Sequence, residues 1–111
     1  MSCIFCKIVA GEIPAKLVHD GHRVIAFEDL NPKAPTHILI IPRSHHENAA
    51  ELAEHDGESL REMFIAAANI ADEIGLAGYR TVFNTGAAAG QSVFHAHLHL
   101  LGGREFGWPP G

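Results

Sequence analysis

The sequence predicts an α+β fold: a mainly antiparallel five-stranded sheet, one long helix and a short N-terminal helix. Three features point there. Short runs of β-favouring residues recur along the chain, one stretch carries apolar side chains at helical spacing, and the two kinds of segment do not alternate in the βαβ manner of a parallel sheet. With 111 residues, 47% apolar and 19% charged, the chain has material for a core without disulfides. We read residues 1–111 as one domain, with 102–111 as a C-terminal tail.

From the N-terminus, "CIFCKIVAGEIP" sets Ile4, Phe5, Ile8 and Val9 at helical spacing, then offers Gly11 as a C-cap and Pro14 beyond it. That is the short helix. "AKLVHD" and "RVIAFED" are strand-like runs around the turn residues "DGH" and predict a hairpin. The prolines of "LNPKAPT" make a loop, and the apolar run "HILIIP" has the length of a buried strand. From Asp56 the period changes: Leu60, Met63, Phe64, Ala67, Ile70, Ala71 and Ile74 share one helical face, with Asp56 placed to cap and Glu58 to meet the helix dipole. This long helix ends near Gly75. "YRTVFN" predicts a strand, "TGAAAGQS" a glycine-bounded loop, and "FHAHLHLL" the last strand before the tail "GGREFGWPPG".

The formal charge is −5 and the Lys and Arg residues are thinly spread, so there is no basic stripe for a nucleic-acid duplex. No apolar run reaches transmembrane length, and "MSCIFCKIVAGEI" lacks the features of a secretion signal. A cytosolic protein is expected. In that setting Cys3 and Cys6, at CxxC spacing, point to metal or redox chemistry rather than a structural disulfide.

The segment "SVFHAHLHLL" puts His95, His97 and His99 at alternate positions. On a strand alternate side chains face one way, so the three imidazoles share a surface while Phe94, Ala96, Leu98 and Leu100 face a core. Same-face neighbours lie roughly 6–7 Å apart along a strand. Ligands of one ion at about 2 Å need donor atoms within about 3.5 Å of one another, so three ligands from this strand would be strained. Nucleophilic or acid–base chemistry suits the pattern better, with one imidazole attacking while its neighbours fix its tautomer and meet negative charge.

"GQSVFHAHLHLLGGR" resembles the signature of the histidine triad superfamily, His-x-His-x-His followed by two apolar residues. "WPPG" and "DLNPKAPTHILIIPRSH" are similar to its Hint branch in particular, a likeness running from about Cys3 to Gly111. A galactose-1-phosphate uridylyltransferase would have Gln where this chain has His99.

The resemblance implies a purine nucleoside phosphoramidase. His97 would attack the α-phosphorus of a nucleoside 5′-phosphoramidate or related AMP ester, and water would open the nucleotidyl-histidine to release AMP. His95 completes the triad, His99 would contact the α-phosphate, and Ser92 would lie near the bridging atom. Gly90, Gln91 and Asn84 fall in or beside the loop that would hold the phosphate, where Gly86 and Gly90 allow backbone N–H groups to come close. Ala87, Ala88 and Ala89 replace more polar residues often found there. Asp29 would take the ribose hydroxyls; as a residue before Asn-Pro it also reads as a turn starter. Phe5, Ile8, Phe27 and Leu30 would form the slot for the base, and His37 would support the triad from behind.

The resemblance further implies a structural zinc site of Cys3, Cys6, His45 and His95, a common ligand set, with no catalytic metal or organic cofactor expected. The adjacency of His45 and His46 leaves that choice open on spacing, and the likeness favours His45. Composition alone would pack Trp108 on its own domain. The family implies a homodimer, in which Trp108 reaches the neighbouring active site and the long helix and "YRTVFN" form the interface. Two rival readings remain: a nucleotide-sensing or partner-binding module with incidental turnover, and a zinc protein with no nucleotide role.

Overall fold

The computed structural model describes residues 3–111. Helix α1 (Ile4–Val9) is followed by the hairpin β1 (Leu17–Asp20) and β2 (Val24–Glu28), then β3 (Thr36–Pro42). Two helices follow, α2 (Ala49–His55) and α3 (Gly57–Ile74), and the chain returns through β4 (Tyr79–Val82), a single 3₁₀ turn (Ala87–Ala89) and β5 (Leu98–Gly102). The five strands form one sheet in the order β1-β2-β3-β5-β4, and every pairing is antiparallel. The α+β class with a five-stranded antiparallel sheet is therefore as the sequence predicts. No helix among the described residues is long and apolar enough to cross a membrane.

Strand alternation divides the sheet into two buried faces. Val24, Ala26, Ile38, Ile40, Leu98 and Leu100 pack against Leu52 of α2 and Met63, Ala66, Ala67 and Ile70 of α3. Ile25, Phe27, Leu39 and Ile41 point the other way, under Phe5 of α1. Because Leu39 pairs with His99 in the β3–β5 ladder, the second face also carries the histidines. The apolar runs "VIAF" and "HILIIP" are thus continuous because they are covered on both sides.

Helix α2 and the start of the last strand differ from the sequence reading, each for a physical reason. Helix α2 was not foreseen; its signal is Asn48, whose side chain accepts from the Glu51 N–H at 2.9 Å, but the helix is short and buries only Leu52. Asp56 does begin α3, and its carboxylate accepts from the Ser59 and Ser44 hydroxyls, each at 2.7 Å. The last strand begins at Leu98, not Phe94, and runs to Gly102. Phe94 is 44% exposed rather than in the core, so only His99 of the three histidines lies within a strand. A Cβ at Gly102 would come within 2.6 Å of Leu76 Cδ1, so a larger residue there needs the Leu76 side chain to shift.

Candidate active site and metal centre

Residues 93–97 precede the β5 ladder, so other contacts hold them. Ala96 N–H donates to His46 O at 2.8 Å, and the buried Gln91 amide donates to Val93 O at 3.0 Å and Glu47 O at 2.7 Å. Ala96, Leu98 and Leu100 lie in the core with α3. The three imidazoles form a row on the opposite side: the Phe5 ring meets His95 and His97 edge-on at 5.9 and 5.1 Å, and the His97 and His99 ring centroids are 5.0 Å apart. His97, 8% exposed, bonds through Nδ1 to the His95 carbonyl at 2.8 Å. A carbonyl only accepts, so the proton sits on Nδ1 and the Nε2 lone pair is free. That is the form a nucleophile needs.

The tautomers of His37 and His99 follow from one backbone group. Lys33 N–H donates to His37 Nδ1 at 3.0 Å, which leaves the His37 proton on Nε2. His37 Nε2 lies 2.9 Å from His99 Nδ1 and 3.4 Å from Asp29 Oδ2, so it donates to His99, and the His99 proton is left on Nε2. That atom is buried and has no hydrogen-bond partner among the described residues. Burial, with smaller effects from His97 and His37, pushes the His99 pKa down to about 4. Burial also lowers His37. Both are then neutral near pH 7, and His99, which lines a cavity, keeps a buried N–H without a partner. Asp29, His37 and His99 lie close enough to suggest a metal site. However, a metal on His37 Nε2 while Nδ1 accepts from Lys33 would require an imidazolate, so the cluster is better satisfied as a hydrogen-bond relay.

Two cavities meet at Asp29. One, about 330 Å³, is lined by Phe5, Ile8, Phe27, Leu30 and Leu39 with Asp29 at its edge; the other, about 360 Å³, is bounded by Asp29, Lys33, His37, Asn84 and His99. The expected base-slot residues are therefore together, although Leu30 is exposed at the rim. Asp29 has both anticipated characters: Oδ1 accepts from Asn31 N–H at 2.8 Å as a turn starter, while the residue also lines both cavities. The glycine loop departs from expectation. Gly86 N–H bonds to Gln91 Oε1 at 2.8 Å, and the N–H groups of Ala89, Gly90 and Gln91 bond to Gly86 and Ala87 carbonyls at 3.0–3.1 Å. Those four amides are spent within the loop, and the Gln91 side chain clamps it rather than opening to a ligand. Gly86 and Gly90 have φ of +88° and +96°, which is what closes so tight a turn. Ser92 stays exposed beside it. Trp108 is 83% exposed and does not pack on its own domain as composition suggested.

On the far side of Phe5, the donor atoms of Cys3, Cys6, His45 and His95 all lie within 4.8 Å of one another. Cys6 Sγ is 3.2 Å from His45 Nδ1; His95 Nδ1 is 3.5 Å from Cys3 Sγ, 3.6 Å from Cys6 Sγ and 3.1 Å from His45 Nδ1. A tetrahedral zinc with bonds of about 2.3 Å to sulfur and about 2.0 Å to nitrogen needs edges of about 3.3–3.8 Å. The set fits. His95 Nε2 donates to Pro42 O at 2.9 Å, so Nδ1 keeps its lone pair toward the other three donors, as a zinc-ligating imidazole does. The geometry also decides between the adjacent histidines, since the His46 ring stacks on His55 at 6.1 Å instead. These residues fit a structural zinc.

Sequence reasoning missed Leu39 in the base cavity, the Pro42 carbonyl and the Lys33 N–H. Strand parity from His37 would have found Leu39; backbone groups leave no mark in a sequence.

Residues 2–105 match the family model described as scavenger mRNA decapping enzyme C-term binding. The chain is 47% identical over 109 residues to an uncharacterized HIT-like protein of Synechococcus elongatus, covering 97% of this chain and 96% of that protein. It is 47% identical over 111 residues to a 14 kDa zinc-binding protein of Zea mays, covering 97% and 87%. Among solved structures, a HIT family hydrolase from Legionella pneumophila superposes with a TM-score of 0.93 at 48% identity, over 99% of this chain and 100% of the other.

Proposed function

Because this chain belongs to the histidine triad superfamily, we propose that it is a nucleotide hydrolase of the Hint type, opening purine nucleoside 5′-phosphoramidates or related AMP esters at the α-phosphorus. One observation carries the reading: His97 offers a free Nε2 lone pair beside His99, whose buried N–H lacks a partner, next to an apolar cavity. The nucleophile touches Phe5, which walls the base cavity, and His99 lines the cavity it shares with Asp29 and Asn84.

In this reading the purine enters between Phe5, Ile8, Phe27 and Leu39, with Leu30 at the mouth, and the Asp29 carboxylate accepts from the ribose hydroxyls. His99 Nε2–H, Asn84 and the Ser92 hydroxyl meet phosphate oxygens and the bridging atom, while Gly90 and Gln91 set the loop that carries Ser92. His97 Nε2 attacks phosphorus as the P–N bond breaks. The amine leaves with the bonding pair and takes a proton from water through Ser92. Positive charge on the bonded imidazole is met by the His95 carbonyl at Nδ1–H, and that charge makes the imidazole a good leaving group, so the intermediate is labile. Water then attacks phosphorus and gives its proton back to the solvent, the P–N bond breaks with its pair returning to His97 Nε2, and AMP departs from neutral His97. Zinc bound by Cys3, Cys6, His45 and His95 would supply structure and no step of this chemistry.

A homodimer completes the proposal. It is supported by β4 standing at a sheet edge and by the exposure of Tyr79, of Phe64 and Ile65 on α3, and of Trp108.

The test is release of AMP from an adenosine 5′-phosphoramidate. His97→Ala should lower kcat by about 1000-fold or more, as loss of a nucleophile does. If AMP binds but no phosphoramidate is cleaved by the wild type, the protein is a nucleotide-binding module; if zinc binds and AMP does not, the nucleotide reading fails.

A further inference from the structure

We propose that metal occupancy at Cys3, Cys6, His45 and His95 positions the His97 nucleophile, so that this centre governs turnover as well as stability. The segment carrying His97 is not in the β ladder. Its place is fixed by a few tethers, and the metal ligands supply or adjoin most of them.

His95 is fully buried, and its ring is gripped from both ends: Nε2–H on Pro42 O at the end of β3, Nδ1 on the metal cluster. Its own carbonyl is the group that accepts from His97 Nδ1–H at 2.8 Å. One residue therefore ligates with its side chain and sets the nucleophile's tautomer with its backbone. The second tether is the neighbour of another ligand, since Ala96 N–H bonds to the carbonyl of His46, next to His45. The third is Phe5. It lies between Cys3 and Cys6 in α1, and its ring meets His97 at 5.1 Å and 79° while also walling the base cavity. With the ion bound, α1, the His45 segment and residue 95 are one rigid unit. Without it, the His95 Nδ1 lone pair faces another imidazole nitrogen at 3.1 Å and two sulfurs, and only protons remain to hold them together.

A misplacement of about 1 Å in a reacting group can cost about 100-fold in rate, and the His95 Nε2–Pro42 and Ala96–His46 hydrogen bonds survive loss of the ion, so a loss of about tenfold in kcat is expected. When α1 loosens, Phe5 and Ile8 go with it but Phe27 and Leu39 of the sheet keep their places in the base cavity, so AMP affinity should weaken less than kcat falls. This split rests on the phosphoramidate-cleaving reading; the tautomer of His97 does not.

The experiment strips the whole protein with a chelator below its melting temperature and titrates zinc(II) back. Ring ¹⁵N resonances of His97, AMP binding, kcat and KM are followed together. With zinc, His97 should show one sharp Nδ1–H tautomer. Without it, or in His45→Ala, which removes an exposed ligand remote from both cavities, the signals should broaden or shift toward mixed tautomers and kcat should fall, both recovering with zinc in the wild type. Identical His97 resonances and kcat with and without zinc, alongside a lower melting temperature, would make the centre a structural staple only and overturn the proposal. If no form cleaves a phosphoramidate while the His97 signals follow zinc, the activity reading fails and the coupling stands. Should the stripped chain unfold, cadmium(II) in place of zinc keeps four ligands at longer bonds and must still displace the His97 signals; unchanged signals again overturn it.

Discussion

Replacing His37 by leucine tests whether a relay behind the triad controls how His99 meets phosphate. In the native chain Lys33 N–H fixes the His37 tautomer, and His37 Nε2–H in turn occupies His99 Nδ1 at 2.9 Å, leaving the proton of His99 on its unpartnered Nε2. Leucine removes that partner and leaves His99 Nδ1 without a donor. His99 regains a hydrogen bond only by carrying its proton on Nδ1 or by admitting water, and in the first case a lone pair faces the phosphate. A hydrogen bond of this kind is worth about 0.5–1.5 kcal/mol net. At 1.36 kcal/mol per decade the upper end is about tenfold in kcat, against about 100- to 1000-fold for losing an oxyanion donor outright in His99→Ala. Glutamine at 37 reaches as far as Nε2 with an N–H, so His37→Gln should stay within about threefold of wild type. Steady-state kinetics on an adenosine phosphoramidate, with AMP binding as a control for fold, gives the answer. Equal kcat for His37→Leu and wild type, or equal damage from leucine and glutamine, would refute the relay.

Further expectations concern stability. The His99 pKa is lowered from 6.5 to about 4, so the unfolded chain binds a proton there that the folded chain refuses; stability is full above pH 6.5 and is lost as pH falls toward 4. A series of urea midpoints from pH 7 to pH 4 should slope more steeply for wild type than for His99→Asn, and parallel slopes would contradict the burial argument. Asp56→Ala removes the cap of α3 and the acceptor of the Ser44 and Ser59 hydroxyls, and should cost about 1–2 kcal/mol by denaturant unfolding, whereas Asp56→Asn should recover most of it. Gly102→Ala drives a Cβ against Leu76 and should cost about 1–3 kcal/mol; the penalty should shrink in a Leu76→Ala background, and an additive double mutant would show the contact is not the cause.

Much of the architecture was legible because apolar periodicity is a local signal. Ile38 to Ile41 read as a strand, and Met63, Ala67 and Ile70 as the buried stripe of α3. The start of β5 shows the limit of the same local signal. "FHAH" alternates like a strand, yet residues 93–97 are held by His46, Pro42 and Gln91 instead of a ladder, and alternation cannot reveal whether a neighbour exists to pair with. The glycine loop shows a similar limit: its composition suggested free amides, but Gln91, a residue that reads as polar and accessible, is 4% exposed and consumes one of them.

The residue types and their spacing in the chain set the fold class, the face that carries His97 and His99, and the CxxC ligand pair, because each depends on the backbone period of one segment. Tertiary structure alone decided which nitrogen of each imidazole holds a proton, that His45 and not His46 joins the cysteines, and that Leu39 floors the base cavity. Those outcomes hang on partners contributed from distant parts of the chain, often a bare carbonyl or N–H that every residue possesses, and such groups acquire meaning only once folding has placed them.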